Sequence, residues 1–208
     1  MLPKIRGETP ISKDDLKPGD HIYTYRTAYT YCHHGIYEGN GRIIHFTGDM
    51  LGGNSLSSFS SSSSHHKKCS NCGYQSNVMG VIRTCFDCFL HKFKNLYLYV
   101  YGKCDPPEEV LSRARFLLQK YKGFGDYSLT ENNCEDFAIY CKTGCLLFDQ
   151  NGKHVSRSTQ VRKAGLVIDG VTSAISPLGA VLKLLKNSKY TERRISVEVF
   201  YDNYRYKA

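Results

Sequence analysis

Alternating apolar and polar positions mark the strands in the first half of the chain. His21-Ile22-Tyr23-Thr24-Tyr25 follows the turn Lys17-Pro18-Gly19-Asp20 and alternates with β-rich residues, which predicts a strand. Residues 1–20 read as irregular. Tyr31 to Tyr37 and Arg42 to Phe46 predict two further strands, joined by the hairpin turn Glu38-Gly39-Asn40-Gly41. Leu96 to Tyr101 predicts a fourth. The period then becomes helical. Pro106-Pro107-Glu108-Glu109 opens a helix with Pro and acids in its first turn, and Val110, Leu111, Ala114, Leu117, Leu118 and Tyr121 keep its spacing. Gly123-Phe124-Gly125-Asp126 breaks it. A second helix carries Cys134, Phe137, Ala138 and Cys141 on one face and stops near Thr143-Gly144. Beyond it, Gln160 to Ile168 and Val171 to Leu185 read as helices, and Arg194 to Tyr204 alternates like a strand.

Composition narrows the class. The chain has 208 residues, with 41% hydrophobic and 23% charged, enough for one ordinary domain with extensions and unlike a disordered chain. The start has no apolar signal region, which predicts a cytoplasmic, non-secreted protein whose nine cysteines stay reduced. Ala164 to Leu182 is apolar but interrupted by Asp169, Gly170 and Pro177, so it reads as a buried or membrane-surface hairpin rather than a span. The net charge is +9, and residues 151–208 hold 11 basic and 4 acidic residues. That region suits an anionic membrane surface or nucleic acid, and equally a solvated basic face. Ser55 to Ser64 has eight Ser among its ten residues and reads as a loop.

Three stretches carry chemistry. In Asn132-Asn133-Cys134-Glu135-Asp136, Asn132 or Asn133 can cap the helix and Cys134 sits at its start, a placement that lowers a thiol's pKa. An isolated Cys there is more often core. His33 and His45 lie on the two arms of the hairpin, near-symmetric about its turn, so they should sit close together, with His34 on the other face. One strand histidine is usually structural; two on facing arms, in a reduced chain with a helix-start Cys, read better as a thiol-activating pair. Finally, Cys69, Cys72, Cys85 and Cys88 make C-x2-C-x12-C-x2-C, two knuckles able to close a tetrahedral zinc shell. Such a site is structural, because four sulfurs leave no position for substrate. Two redox or core cysteine pairs are the alternative. His65 and His66 read as loop residues.

His33-His34-Gly35-Ile36-Tyr37-Glu38-Gly39, then Ile44-His45-Phe46, then Asn133-Cys134-Glu135-Asp136-Phe137 resemble the three blocks of the lecithin:retinol acyltransferase (LRAT) family: an H-x-x-I-Y-x-G strand, a second His twelve residues on, and an N-C-E-x-F helix start. The four-cysteine insertion followed by Phe89-Leu90 is similar to the plant branch, the NC-domain proteins. The resemblance implies an α+β, circularly permuted papain-like fold, an antiparallel sheet packed on helices with a zinc-knuckle insertion. It divides the chain into an extension at 1–14, a catalytic domain at 15–150 containing the Ser-rich loop 53–68 and the Cys insertion 69–88, and a basic extension at 151–208. It implies that Cys134 attacks a lipid ester and forms a thioester, that His33 is the base, that His45 orients and polarises His33, and that Tyr31 helps stabilise the oxyanion. An amine, alcohol or water then takes the acyl group. Donors for the tetrahedral intermediate are available in backbone N–H groups at the helix start. Asp136 stands where animal members have His, and their C-terminal anchoring helix has no clear counterpart.

Three functions compete. The first is a thiol acyltransferase or phospholipase on glycerophospholipids, with one structural zinc and a peripheral place at a membrane. The second is a non-enzymatic, zinc-stabilised interaction or metal-response module. The third is a thiol peptidase or amidase. Nucleic-acid binding is weakest, since the charge comes without a recognisable motif.

Overall fold

The computed structural model describes residues 10–26, 31–48, 68–75, 78–157 and 190–204. Strands β1 (His21–Arg26), β2 (Tyr31–Gly39), β3 (Arg42–Thr47), β4 (Gly80–Cys85) and β5 (Tyr97–Leu98) form an antiparallel sheet in the order β4-β3-β2-β1-β5. The expected hairpin is β2–β3. Asn40 and Gly41 take φ of 50° and 70°, the positive values that a two-residue turn of matching twist requires. Helices α1 (Phe86–Leu90), α2 (Pro107–Gln119) and α3 (Cys134–Thr143) pack on the sheet. β6 (Cys145–Phe148) and β7 (Thr191–Arg194) pair as a second small sheet, and α4 (Val197–Asn203) follows.

The two faces of the large sheet bury different things. On one, Ile36, Ile44 and Phe46 pack with Val110, Ala114 and Leu117 of α2 and Phe137, Ala138 and Cys141 of α3. On the other, Ile22 and Ile43 pack with Phe89 and Leu90 of α1 and with Leu96. Gly35 lets α1 come close. A Cβ there would lie 2.7 Å from Ile43 Cγ2 and 3.0 Å from Phe89 Cε2, so something would have to shift. The chain after β7 returns to the helical face, where Ile195, Val197 and Phe200 join the core. Arg194 also pairs with Asp105 and Glu109. The end of the 151–208 region is thus part of the packed body.

Four expectations are corrected. Arg194 to Tyr204 is not one strand: β7 ends at Arg194, and Ser196 accepts from the Val199 N–H to start α4. Two apolar residues of this segment, Val197 and Phe200, are three apart, which serves a helix face better than a strand face. Leu96 to Tyr101 pairs only at Tyr97–Leu98, because β1 begins at His21 and offers nothing beyond it but the His21 carbonyl, taken by the Tyr99 N–H. Tyr121 lies past the end of α2 and is 77% exposed. The irregular start contains a 3-10 turn, Lys13–Asp15, capped by Ser12. The proposed helices 160–168 and 171–185, the Ser-rich stretch, His65 and His66 lie outside the described residues. Among the described residues, no helix is long and apolar enough to cross a membrane.

Candidate active site and metal centre

Cys134 is the first residue of α3. Asn133 caps the helix by accepting from the Glu135 and Asp136 N–H groups, while Asp136 Oδ2 accepts from the Asn133 N–H at 3.2 Å, closing a capping box. The cap is itself tied down, since Asn133 Nδ2 donates to the Leu129 carbonyl and to Ser156 Oγ. Among the helix-start amides, where oxyanion donors are expected, those of Glu135 and Asp136 are therefore taken by Asn133. The Cys134 N–H remains one of the amides a helix does not bond itself.

The thiol is buried, at 3% exposure. It donates to the Cys32 carbonyl at 3.6 Å, accepts the His34 backbone N–H, and accepts from the Tyr127 hydroxyl at 3.9 Å. Cys32 C=O and His34 N–H flank residue 33. Tyr37 bonds Gly19 and Asp20 through its own peptide groups, so odd-numbered β2 residues point theirs toward β1 and even-numbered ones toward β3. The β2–β3 register runs only from Ile36–Ile44 to Gly39–Arg42. Cys134 thus sits on β3-directed peptide groups of β2 beyond the Ile36–Ile44 end of the described register, at the level of His33. Burial pushes the thiol up to about 11, Glu135 and Asp136 add to this, and the two donors pull it back only partly. The lowered pKa expected of a helix-start thiol is corrected: desolvation outweighs the helix dipole here. Burial likewise raises Asp136 to about 6.

His33 and His45 come together as the hairpin predicts. His33 Nε2 lies 2.9 Å from His45 Nδ1, and His45 Nε2 lies 3.0 Å from Thr84 Oγ1. They are diagonal rather than directly opposite, because it is Gly35 whose Cβ position meets His45 Cβ, at 3.1 Å. Both rings lie on the α1 face against Phe89, with centroids 5.2 and 5.4 Å from it. Burial first, then His45 and the Arg26 guanidinium, hold His33 well below the ordinary histidine range. Burial and Arg26 hold His45 near 3. Both are neutral at pH 7. Among the described residues His33 Nδ1 has no hydrogen-bond partner, and no hydrogen bond joins Cys134 to an imidazole. The side chain of Tyr31 lies outside the described residues.

His34 points to the opposite face, as alternation requires. Its Nδ1 lies 2.8 Å from His21 Nε2, and His21 Nδ1 lies 2.7 Å from the Tyr101 hydroxyl. This second pair is stacked among Tyr23 and Tyr99. Sequence reasoning missed His21, Thr84, Phe89 and Tyr127 as neighbours of the site. Only the position of Thr84 and Phe89 beside Cys85 and Cys88 offered a signal.

The four cysteines converge. Their sulfurs all lie within 4.8 Å of one another, with Cys69–Cys85 at 3.8 Å and Cys72–Cys88 at 3.5 Å. A tetrahedral shell with metal–sulfur bonds of about 2.3 Å has sulfurs roughly 3.8 Å apart, so the set fits such an ion. All four are free thiols. N–H groups of Cys72 and Asn71 pull Cys69 down to about 6, whereas burial pushes Cys85 and Cys88 up. Bringing four thiolates together requires a cation to offset their repulsion.

The lecithin retinol acyltransferase family model matches residues 14–147. Protein LEAD-SENSITIVE 1 of Arabidopsis thaliana is 38% identical over 214 aligned residues, covering 91% of this chain and 79% of that protein. With the three sequence blocks gathered around one thiol and one histidine pair on a mixed α+β body, the chain belongs to the lecithin retinol acyltransferase family.

Proposed function

We propose that this chain is a thiol acyltransferase that takes an acyl group from a glycerophospholipid onto Cys134 and passes it to an amine, an alcohol or water. The observation that carries the reading is the seat of the thiol, held by the peptide groups on either side of His33. His33 Nδ1 takes the Sγ proton as sulfur attacks the ester carbonyl. For Nδ1 to accept, Nε2 must carry the other proton and donate to His45 Nδ1. His45 then donates from its Nε2 to Thr84 Oγ1. The relay fixes one tautomer and steadies the charge on His33. The Cys134 N–H faces the developing oxyanion, with Tyr31 as a second donor. Collapse of the intermediate forms the thioester, and His33 gives its proton to the departing lysolipid oxygen. The acceptor then attacks the thioester, losing its proton to His33, and the thiol regains one. Because thiol and imidazole rest neutral, proton transfer accompanies attack.

The order His, His, Cys along the chain supports a circularly permuted papain-like arrangement. Cys69, Cys72, Cys85 and Cys88 hold one structural zinc ion, which supplies cross-linking and no step of the reaction. The basic 151–208 region brings the protein to an anionic membrane surface on the cytoplasmic side.

Intact mass after incubation with phosphatidylcholine vesicles tests the reading. The natural chain should gain an acyl adduct labile to hydroxylamine, and Cys134→Ala should gain none while keeping its fold. Adduct, lysolipid or fatty acid formed equally by the variant would end the thioester mechanism. A second reading, a non-enzymatic metal-response module, is favoured by the four-sulfur cluster and by the high thiol pKa. Soft thiolates bind soft cations, and the Arabidopsis relative is named for lead. That reading requires a Cys134→Ala variant with full function and a loss on replacing Cys69 or Cys85.

A further inference from the structure

We propose that the metal ion held by Cys69, Cys72, Cys85 and Cys88 sets the orientation of the His33–His45 pair, with Thr84 and Phe89 as the positioning residues. This rests on the metal reading above and goes beyond it, because it gives the knuckle a task at the reacting pair.

The two positioning residues are the sequence neighbours of two ligands. Thr84 precedes Cys85, is fully buried, and closes the relay with its Oγ1 on His45 Nε2. Phe89 follows Cys88, is fully buried, and packs its ring against both imidazoles. Phe89 belongs to α1, which is five residues long with Cys85 at its N-cap making no side-chain cap bond. A helix this short does not hold itself. Its last turn is held by Arg26, whose guanidinium donates to the Phe89 and Leu90 carbonyls. Its start is held on the sheet side, where Cys85 ends the β4 ladder opposite Arg42 and Phe86 stacks on Tyr37, and on the knuckle side only the sulfurs meet. Bonds from one ion to Cys85 and Cys88 would fix the two ends of this turn relative to each other and join the segment to the Cys69 knuckle. Without the ion, the β4 ladder still carries Thr84, but its placement relative to Phe89 is no longer fixed, and the contact that orients His45 Nε2 loosens. His34 and His21 touch neither residue and serve as an internal reference.

The test uses the full chain with labelled histidine, loaded with zinc, and reads the imidazole nitrogens by long-range proton–nitrogen spectra. Loaded protein should show one tautomer each for His33 and His45. Chelation should shift both toward mixed tautomers while His21 and His34 keep their signals. Unchanged His33 and His45 signals after zinc removal from a folded chain would overturn the proposal. So would a chain that binds no zinc. If chelation unfolds the protein, zinc-loaded Thr84→Val decides: a shifted His45 signal, restored in Thr84→Ser, supports it, and an unmoved one overturns it. An acyl adduct that persists without coupling would leave the proposed reaction standing. Coupling without any adduct would leave this inference standing alone.

Discussion

The His33–His45 and His21–His34 pairs hang from adjacent residues of β2, are buried and hydrogen-bonded at 2.9 and 2.8 Å, and are held neutral by burial. They differ in direction. His33 reaches toward β3 and ends on Thr84, beside the cysteine knuckle. His34 reaches toward β1 and ends on Tyr101 in a cluster of tyrosines. The thiol sits on β3-directed peptide groups of β2, so the first pair runs toward the same neighbouring strand and the second away from it, although α3 itself packs on the His34 face of the sheet. Burial and a lowered pKa therefore do not distinguish the two pairs. The direction of the hydrogen-bonded partner relative to the thiol does.

The sharpest break of this comparison is a pair of single variants assayed for acyl-adduct formation per folded molecule. His33→Ala should lose on the order of 10²–10⁴-fold, the range for removing a general base. His34→Ala should stay close to the natural rate. Equal losses, or a greater loss in His34→Ala, would sink the assignment.

A second prediction treats the pairs as alike. Each buried histidine has a folded pKa below its unfolded value of about 6.5, with His34 and His45 near 3 and His154 near 4. The folded chain stays neutral where the unfolded chain takes protons. The stability these groups contribute is present above about 6.5 and is lost as pH falls toward 3–4, at about 1.4 kcal/mol per pH unit per histidine. Asp136, raised to about 6, works in the opposite sense below that value, but it is one group. Denaturant midpoints measured from pH 7 to pH 5 should fall. A flat profile would mean that the histidines are solvated in solution.

Third, His34→Ala should cost stability where it spares rate, by about 1–3 kcal/mol, because His21 Nε2 loses its partner. Combining it with His21→Ala should cost less than the two single losses added. Strict additivity in thermal melts would show that the two rings do not interact. The smallest effect belongs to the start of α3. Asn133→Ala should cost about 1 kcal/mol through the cap, and it frees the Glu135 and Asp136 amides. Unchanged stability would argue against the capping box.

Much of this was legible residue by residue. The hairpin turn Asn40-Gly41 demanded positive φ and so placed His33 and His45 on neighbouring arms. Alternation placed His34 on the other face, and the cysteine spacing announced the knuckles. The Asn133 cap and the Gly144 stop bounded α3, where Gly144 takes φ of 65°. What could not be read was longer in range. β1 and β2 are not joined by a two-residue turn, so nothing local set the register that pairs Tyr23 with His34 and brings His21 within reach of it. Nor could the thiol's pKa be read, since a helix start lowers it and only the depth of burial decides whether that advantage survives.

Sequence by itself determined the local geometry and the donor set: which residues alternate, which turn, which cap, and which cysteines can share an ion. These depend on backbone preferences over a few residues. Only the tertiary structure decided that β2 carries two histidine pairs with opposite leanings, that Thr84 and Phe89 link the knuckle to one of them, and that Cys134 settles where the β3 ladder ends. Those outcomes arise from how a sheet and its helices exclude water from shared surfaces, and a side chain's neighbours across such a surface are set by packing rather than by distance along the chain.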